Sequence, residues 1–246
     1  MKLYVETRIR ADMETIWERT QDPAHHQRWD LRFTEIDYLP CAPGEPQRFR
    51  YATRVLPFLT VAGTGISAGE RHRSGGERVS ALRFASPQRL SLLAEGSGYW
   101  RYVPTTDGVR FLTGYDYRPR WGRFGATADR IMFRPLMGWA TAWSFDRLRL
   151  WCERGISPAR SLAHAVAELT ARALAVATAV VCTVMMWAVQ PSYLLAMSAA
   201  AYLTLALAVV ALLAPPSPRT PAARRCRRTP PAPTAAPGLL TTLEHA

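Results

Sequence analysis

"IMFRPLMGWATAWSFDRLRLW", Ile131 to Trp151, decides how the rest of the chain is read. It holds three tryptophans among apolar residues, yet also Arg134, Asp146, Arg147 and Arg149. Four charges would be costly at bilayer depth, which argues against a membrane span. At helical spacing Met132, Leu136, Trp139, Trp143 and Leu150 fall in one narrow stripe. Phe133, Met137, Ala140 and Trp151 widen that stripe, and Arg134, Gly138, Asp146 and Arg149 take the opposite side. Pro135 lacks the donor that a helix interior needs, so the helix starts or kinks there. The pattern predicts a long amphipathic helix whose aromatic face covers an apolar surface. Arg147 sits mid-stripe, either as a buried ion-pair partner or as a contact to a polar ligand head.

The apolar surface it covers is supplied upstream. "KLYVETRI" alternates, placing Leu3, Val5, Thr7 and Ile9 on one face of a strand. "DMETIWERTQD" reads as a helix capped by Asp12, with Ile16 and Trp17 on its apolar side, and Pro23 opens a second short helical turn. Alternating segments follow at 32–39, 47–55, 58–68, 77–84, 90–102 and 109–117. Between them stand the Gly/Pro/Asp-rich breaks "CAPGEPQ", "RSGG", "SPQ" and "TTDG", as hairpin connections require. One strand, two short helices, six strands and a long helix make an α+β order with a meandering antiparallel sheet. Gly96 and Gly98 mark either a bulge that curves the sheet or simple turn chemistry.

After about residue 170 the composition changes. Residues 173–189 and 193–214 carry no charge. A spanning helix needs ~20 apolar residues, so the two runs predict a transmembrane hairpin that turns at Gln190-Pro191-Ser192, with Trp187 and Tyr193 at the far interface. Arg172 snorkels at the near end. Small residues such as Ala196, Ser198 and Ala200 would let the helices pack closely. Arginines flank the pair on both sides (Arg154, Arg160 and Arg172 before it, Arg219 and the "RRCRR" cluster after it), and the turn has none. The positive-inside rule then places both termini in the cytoplasm of a two-span protein of the plasma membrane.

The resulting organisation is an α+β domain over 1–156, a helical linker over 157–172, the transmembrane hairpin over 173–214 and a disordered basic Pro/Ala-rich tail over 215–246. In that tail Arg224, Arg225, Arg227 and Arg228 would meet anionic lipid headgroups. The net charge of +12 is almost all arginine, Lys2 being the single lysine. The arginines are scattered rather than clustered with exposed aromatics, which argues against nucleic acid.

Chemistry-bearing motifs are few. Cys41, Cys152, Cys182 and Cys226 show no metal or disulfide spacing. "GTGISAGE" is not followed by the helix and Lys-Ser/Thr of a phosphate loop, and "GISPARS" lacks the nucleophile elbow. His25 and His26 read as a solvated pair. No metal, no cofactor and no catalytic residue is assigned.

Two stretches carry a family resemblance: "VETRIRADMETIWERTQDPAHHQRWD" near the start, and "GYDYRPRWGRFGATADRIMFRPLMGWATAWSFDRLRLW" at the end of the domain. They resemble the opening strand and helix, and the last strand and closing helix, of the START/polyketide-cyclase-like superfamily (SRPBCC) over about the first 155 residues. The resemblance implies a helix-grip fold, a curved antiparallel sheet wrapped around a long closing C-terminal helix, with a hydrophobic ligand held between the two. Alternation and the helix stripe then give the lining as Phe49, Tyr51, Trp100, Tyr102, Phe111, Tyr115, Tyr117, Trp139, Trp143 and Arg147. The expected function is binding of a lipid, polyketide or other aromatic or isoprenoid compound at the cytoplasmic face of the membrane. The alternative is a cyclase- or dehydratase-like enzyme working in the same cavity.

Overall fold

The computed structural model describes residues 3–42, 44–56, 58–73, 75–189 and 194–231. The chain forms two compact units, one made of residues 1–158 together with the chain from 222 onward, the other of residues 159–221.

The first unit is built on one seven-stranded sheet. Its strands are β1 (Leu3–Ile9), β2 (Glu35–Tyr38), β3 (Arg48–Leu56), β4 (Leu59–His72), β5 (Arg78–Ala85), β6 (Leu93–Thr105) and β7 (Gly108–Pro119). Their spatial order is β1-β7-β6-β5-β4-β3-β2, antiparallel throughout. Every neighbour but one is a sequence neighbour, so short hairpins build the whole sheet from β2 to β7. β1 closes against β7, with Val5 opposite Thr113. α1 (Met13–Gln21) starts where the sequence places it: the Asp12 side chain accepts from the Thr15 amide at 2.7 Å. α2 (Pro23–Trp29) begins with its proline in the first turn under the Asp22 cap.

The long helix differs from expectation in its start and in its rotation. Helix begins at α3 (Gly122–Ala128), passes through a π turn (Asp129–Phe133) and continues as α4 (Arg134–Arg154). Pro135 stands just after the π turn, where a wider turn accommodates its missing amide. The helix meets the sheet through Arg134 above the Tyr117 ring at 4.8 Å, Thr141 on the Tyr115 hydroxyl at 3.1 Å, and Phe145 stacked on Phe111 at 4.5 Å. These positions are seven and four residues apart, one helix face. Trp139 and Trp143 lie two residues from Thr141 and Phe145 and so point to the far side; Trp139 is 45% exposed. The expected tryptophan seam therefore does not face the sheet. The largest apolar side chains set the phase of the sequence pattern, whereas this helix carries apolar residues all round and is covered from several directions.

One of those covers is the chain's own tail. Residues 222–228, expected to be disordered, dock on this unit. Ala222, Ala223 and Cys226 are buried, and Arg227 pairs antiparallel with Glu6, amide to carbonyl at 2.9 Å in both directions. That bridge lies on the outer side of β1, a sheet edge whose unpaired groups would otherwise stand open. The Asp146 carboxylate, fully buried, receives Arg149 at 2.7 Å, the Ala222 amide at 2.8 Å and Arg225 at 2.9 Å. The cluster reads as disordered by composition alone because its partner is a single buried aspartate 76 positions upstream. Arg225 is thus an ion-pair partner rather than a lipid contact, while Arg224, Arg227 and Arg228 keep exposed side chains. The tail beyond residue 231 lies outside the described residues.

The sheet is irregular where β4 meets β5 between Ser67 and Glu70, and where β6 meets β7 between Leu93 and Glu95. Gly96 and Gly98 are in register, so neither is the bulge; they serve another purpose, described below.

The second unit pairs α5 (Pro158–Val189) with α6 (Leu194–Leu213). Thr183 and Thr204 share a hydrogen bond, Arg172 reaches the carbonyls of Ala211 and, at 3.0 Å, Ala214, and Glu168 accepts from the Ser217 amide at 3.1 Å. The pairs climb one helix as they descend the other, so the two run antiparallel. Arg172 finds the open carbonyls at the end of α6 rather than water alone. Pro158–Met186, 29 residues, is long and apolar enough to cross a membrane and is unburied; the apolar stretch Ser198–Leu213 of α6 is shorter. The expected turn at 190–192 and Tyr193 lie outside the described residues, as does the side chain of Trp187.

Candidate functional site

The space between sheet and helix has two halves. Toward the C-terminal half of α4 it is filled by rings. Trp29, Tyr102, Phe111 and Phe145 are wholly buried, and Trp100 nearly so. Trp29 meets Phe145 at 6.1 Å and Trp100 at 6.2 Å, and Tyr102 meets Phe111 at 4.9 Å. The Tyr102 hydroxyl is held by Thr20 at 2.7 Å and Gln21 at 2.8 Å. Trp100, Tyr102 and Phe111 are therefore packing residues, a correction to their expected place in a ligand lining. Packed aromatic rings leave no room for another molecule.

Arg147 is a second correction. It neither pairs with a carboxylate nor meets open space; its guanidinium holds the carbonyls of Trp29 (3.2 Å), Arg28 (3.2 Å) and Pro158 (3.0 Å). Burial lowers its pKa to about 10. It buckles the end of α2 to the end of α4. His26 is a third. It is buried against Trp29 (5.0 Å), Trp100 (4.8 Å) and Phe33 (5.3 Å), with Asp30 at 3.2 Å from Nε2. Burial pulls its pKa down against the opposing pull of Asp30, which favours the neutral ring. An apolar position in a short helix beside Trp29 was the available signal.

The other half, over β3 to β7, is different. Here glycines line the concave face: Gly63 and Gly65 on β4, Gly96 and Gly98 on β6, opposite Tyr51, Phe49, Tyr117 and Tyr115 respectively. Rings lie flat on three of them. A Cβ on Gly65 would stand 2.2 Å from the Phe49 ring, one on Gly63 2.4 Å from the Tyr51 hydroxyl, and one on Gly96 2.6 Å from the Phe84 ring. Flattened rings make a smooth aromatic floor with little depth above the strands, and Phe49 and Phe84 are partly exposed.

The wall of this groove is polar in a regular way. Tyr115 and Tyr117 stack at 6.3 Å along β7. Arg32 lies over the Tyr115 ring at 5.5 Å and is bound to Asp30 through both Nε (2.9 Å) and an amino nitrogen (2.6 Å). Arg134 lies over Tyr117 and is bound to Asp129 at 3.0 Å, and the Tyr117 hydroxyl donates to the same carboxylate. Burial and Asp129 together push the Tyr117 pKa far up. For Asp30, burial alone would raise the carboxyl, but Arg32 and the hydrogen bonds from His26 and Arg32 prevail and hold it well below the usual range. The wall thus presents two charge-balanced Asp–Arg pairs, each backing a tyrosine.

The tyrosine protons are accounted for. Thr141 gives its own proton to the Met137 carbonyl at 2.7 Å, so Tyr115 must donate to Thr141. Tyr51 differs: its hydroxyl has no hydrogen-bond partner among the described residues, and burial pushes its pKa up to about 12. It is the free donor of the groove. Of the ten residues expected to line a site, the structure brings Phe49, Tyr51, Tyr115 and Tyr117 together there. It adds Arg32, Phe33 and Phe84, which alternation alone did not single out; Trp139 is exposed and Trp143 is buried beneath Arg147, away from the sheet.

No family model matches the chain. A curated relative, the uncharacterized membrane protein YndG of Bacillus subtilis (strain 168), is 48% identical over 165 residues, 67% of this chain. The chain spans 62% of that relative's length. Among solved structures, a STAR-related lipid transfer protein from Xanthomonas axonopodis aligns over 60% of this chain and 83% of its own, at 16% identity and a TM-score of 0.46. The di-domain ARO/CYC StfQ of the steffimycin biosynthetic pathway aligns over 61% of this chain and 50% of its own, at 12% identity and the same TM-score of 0.46. The fold itself rests on the strand order and register given above.

Proposed function

We propose that this protein is a membrane-anchored module that binds a hydrophobic small molecule in the open half of the grip, between the glycine-backed aromatic floor and Tyr115 and Tyr117. The observation that carries it is Tyr51: its ring is buried in an apolar floor while its hydroxyl, with no protein partner among the described residues, stays accessible and can hydrogen-bond a guest. The balanced wall favours a neutral oxygen on that guest over a naked charge.

Anchoring rests on α5 and on a parity argument. Residues up to Pro158 and from Ala222 belong to one compact unit, which supports an even number of crossings for the chain between them. If α5 crosses, α6 returns; at 20 residues it measures about 30 Å, enough for the hydrocarbon core. Arginines on both flanks place the folded unit and both termini on the cytoplasmic face, with Arg224 and Arg228 free to meet anionic headgroups. YndG being called a membrane protein is in keeping with this.

The test is extraction of the purified full chain with organic solvent and mass spectrometry of what is released, beside Tyr51→Phe and Phe49→Ala variants. A stoichiometric apolar compound, depleted in both folded variants, is the expected result. A wild-type chain that is always empty and takes up no fluorescent apolar probe would refute it.

A further inference from the structure

The first half of the long helix carries an apolar surface that the groove does not use. Phe124 is 74% exposed, Ile131 73%, Met132 66%, Leu136 54% and Trp139 45%. The last three recur at helical spacing, on the side of α4 turned away from the Thr141–Phe145 face that grips the sheet. The second half of α4 has partners in α2 and the docked tail. A run of five large exposed apolar side chains is more than isolated surface residues explain.

The exposed charges within the segment itself are of one sign. Between residues 118 and 139 the sole acid is Asp129, which is buried and occupied by Tyr117 and Arg134. Arg123 and Arg130 are exposed beside the apolar side chains. Bulky apolar residues with a tryptophan, bordered by arginines and free of exposed acid, suit the boundary between acyl chains and anionic headgroups.

We infer that the α3–α4 segment, through Phe124, Ile131, Met132, Leu136 and Trp139 with Arg123 and Arg130, is a second membrane contact, lying in the interface of an anionic bilayer. This rests on reading α5 as a span, because only then is the folded unit held beside lipid. Its consequence is that the groove's helical wall stands at the lipid boundary.

The full chain would be reconstituted in nanodiscs of phosphatidylcholine, with or without phosphatidylglycerol, each with and without brominated acyl chains. Tryptophan emission is compared between wild type and Trp139→Phe, so that the difference isolates Trp139 from the other tryptophans. In anionic discs bromination abolishes that difference. The Arg123→Gln, Arg130→Gln double variant lowers the docked-to-undocked ratio about tenfold or more, and salt does likewise. Shielding of Cys182, an exposed thiol on α5, from a membrane-impermeant maleimide reports the span separately. Cys182 shielded with Trp139 unaffected by bromination overturns the inference and leaves the span intact. Cys182 labelled in intact discs overturns both. Trp139 shielded only at several chains per disc, without bromine quenching, assigns the surface to a second copy and overturns the lipid contact.

Discussion

Replacing Asp146 by asparagine tests whether the tail is a working part of the folded unit. The carboxylate is fully buried and accepts three donors, two of which, the Ala222 amide and Arg225, come from the tail. A hydrogen bond to a charged group contributes about 1.5–3 kcal/mol, and asparagine keeps one acceptor, so undocking should become easier by about 2 kcal/mol. Cys226 supplies the readout. It is 7% exposed, its thiol donates to the Ala142 carbonyl at 3.2 Å, and burial pushes its pKa up to about 12. Both features suppress alkylation while the tail is docked. About 2 kcal/mol corresponds to a roughly 30-fold faster labelling of Cys226 in the variant if labelling proceeds through the undocked state. The assay is timed iodoacetamide alkylation of the full chain, with the Cys226 peptide quantified by mass spectrometry against Cys41 as an exposed internal reference. Arg225→Gln should show the same direction with a smaller factor, since Arg225 is partly exposed. A Cys226 rate within twofold of wild type in Asp146→Asn would refute the account of what holds the tail.

Arg147→Met leaves three carbonyls without their donor and should cost about 2–4 kcal/mol, measured as a drop in thermal midpoint; an unchanged midpoint would show that water replaces the guanidinium. Gly125→Ala places a Cβ 1.7 Å from the Arg120 carbonyl oxygen, a clash with backbone, and should cost about 3 kcal/mol or more in chemical denaturation, against about 1–2 for Gly44→Ala, whose Cβ meets open space and whose left-handed φ alone is the penalty. His26 has a folded pKa below its ordinary 6.5, so the unfolded chain takes up the proton first as pH falls. Stability should therefore decline below about pH 6.5, by at most about 1.4 kcal/mol per pH unit, and His26→Gln should flatten that slope between pH 7 and 5; an identical slope in the variant would exclude His26 as its source. Tyr117→Phe removes the proton given to Asp129 and should destabilise by about 1–2 kcal/mol while leaving the Arg134 pair in place, as a denaturant series would show.

The strands were legible because alternation and turn residues are local signals: the six segments after α2 match β2–β7 to within a few residues. The cap at Asp12 and the helix start at Pro23 were equally local. Rotation of the long helix was not, because it depends on which of several apolar faces the sheet, α2 and the tail each claim, and those claims are made by residues far apart in sequence. The site shows the same division. Phe49, Tyr51, Tyr115 and Tyr117 follow from strand parity, yet parity cannot say that Trp100, Tyr102 and Phe111 meet the packed half of the helix and Phe49 the open half. Nor could composition distinguish "RRCRR" as a docked strand partner from a solvated basic cluster, since what fixes it is Asp146 and one free edge.

The tail has a further consequence, for synthesis. Residues 222–228 leave the ribosome only after the whole of α5 and α6, so the nascent domain waits with its first strand uncapped and with Asp146 lacking two of its three donors. Under the proposed anchoring, maturation of the folded unit is thereby ordered behind entry of α5 and α6 into the bilayer. If only one of the two helices crossed, those last residues would lie on the far side of the membrane from the edge and the aspartate they cover.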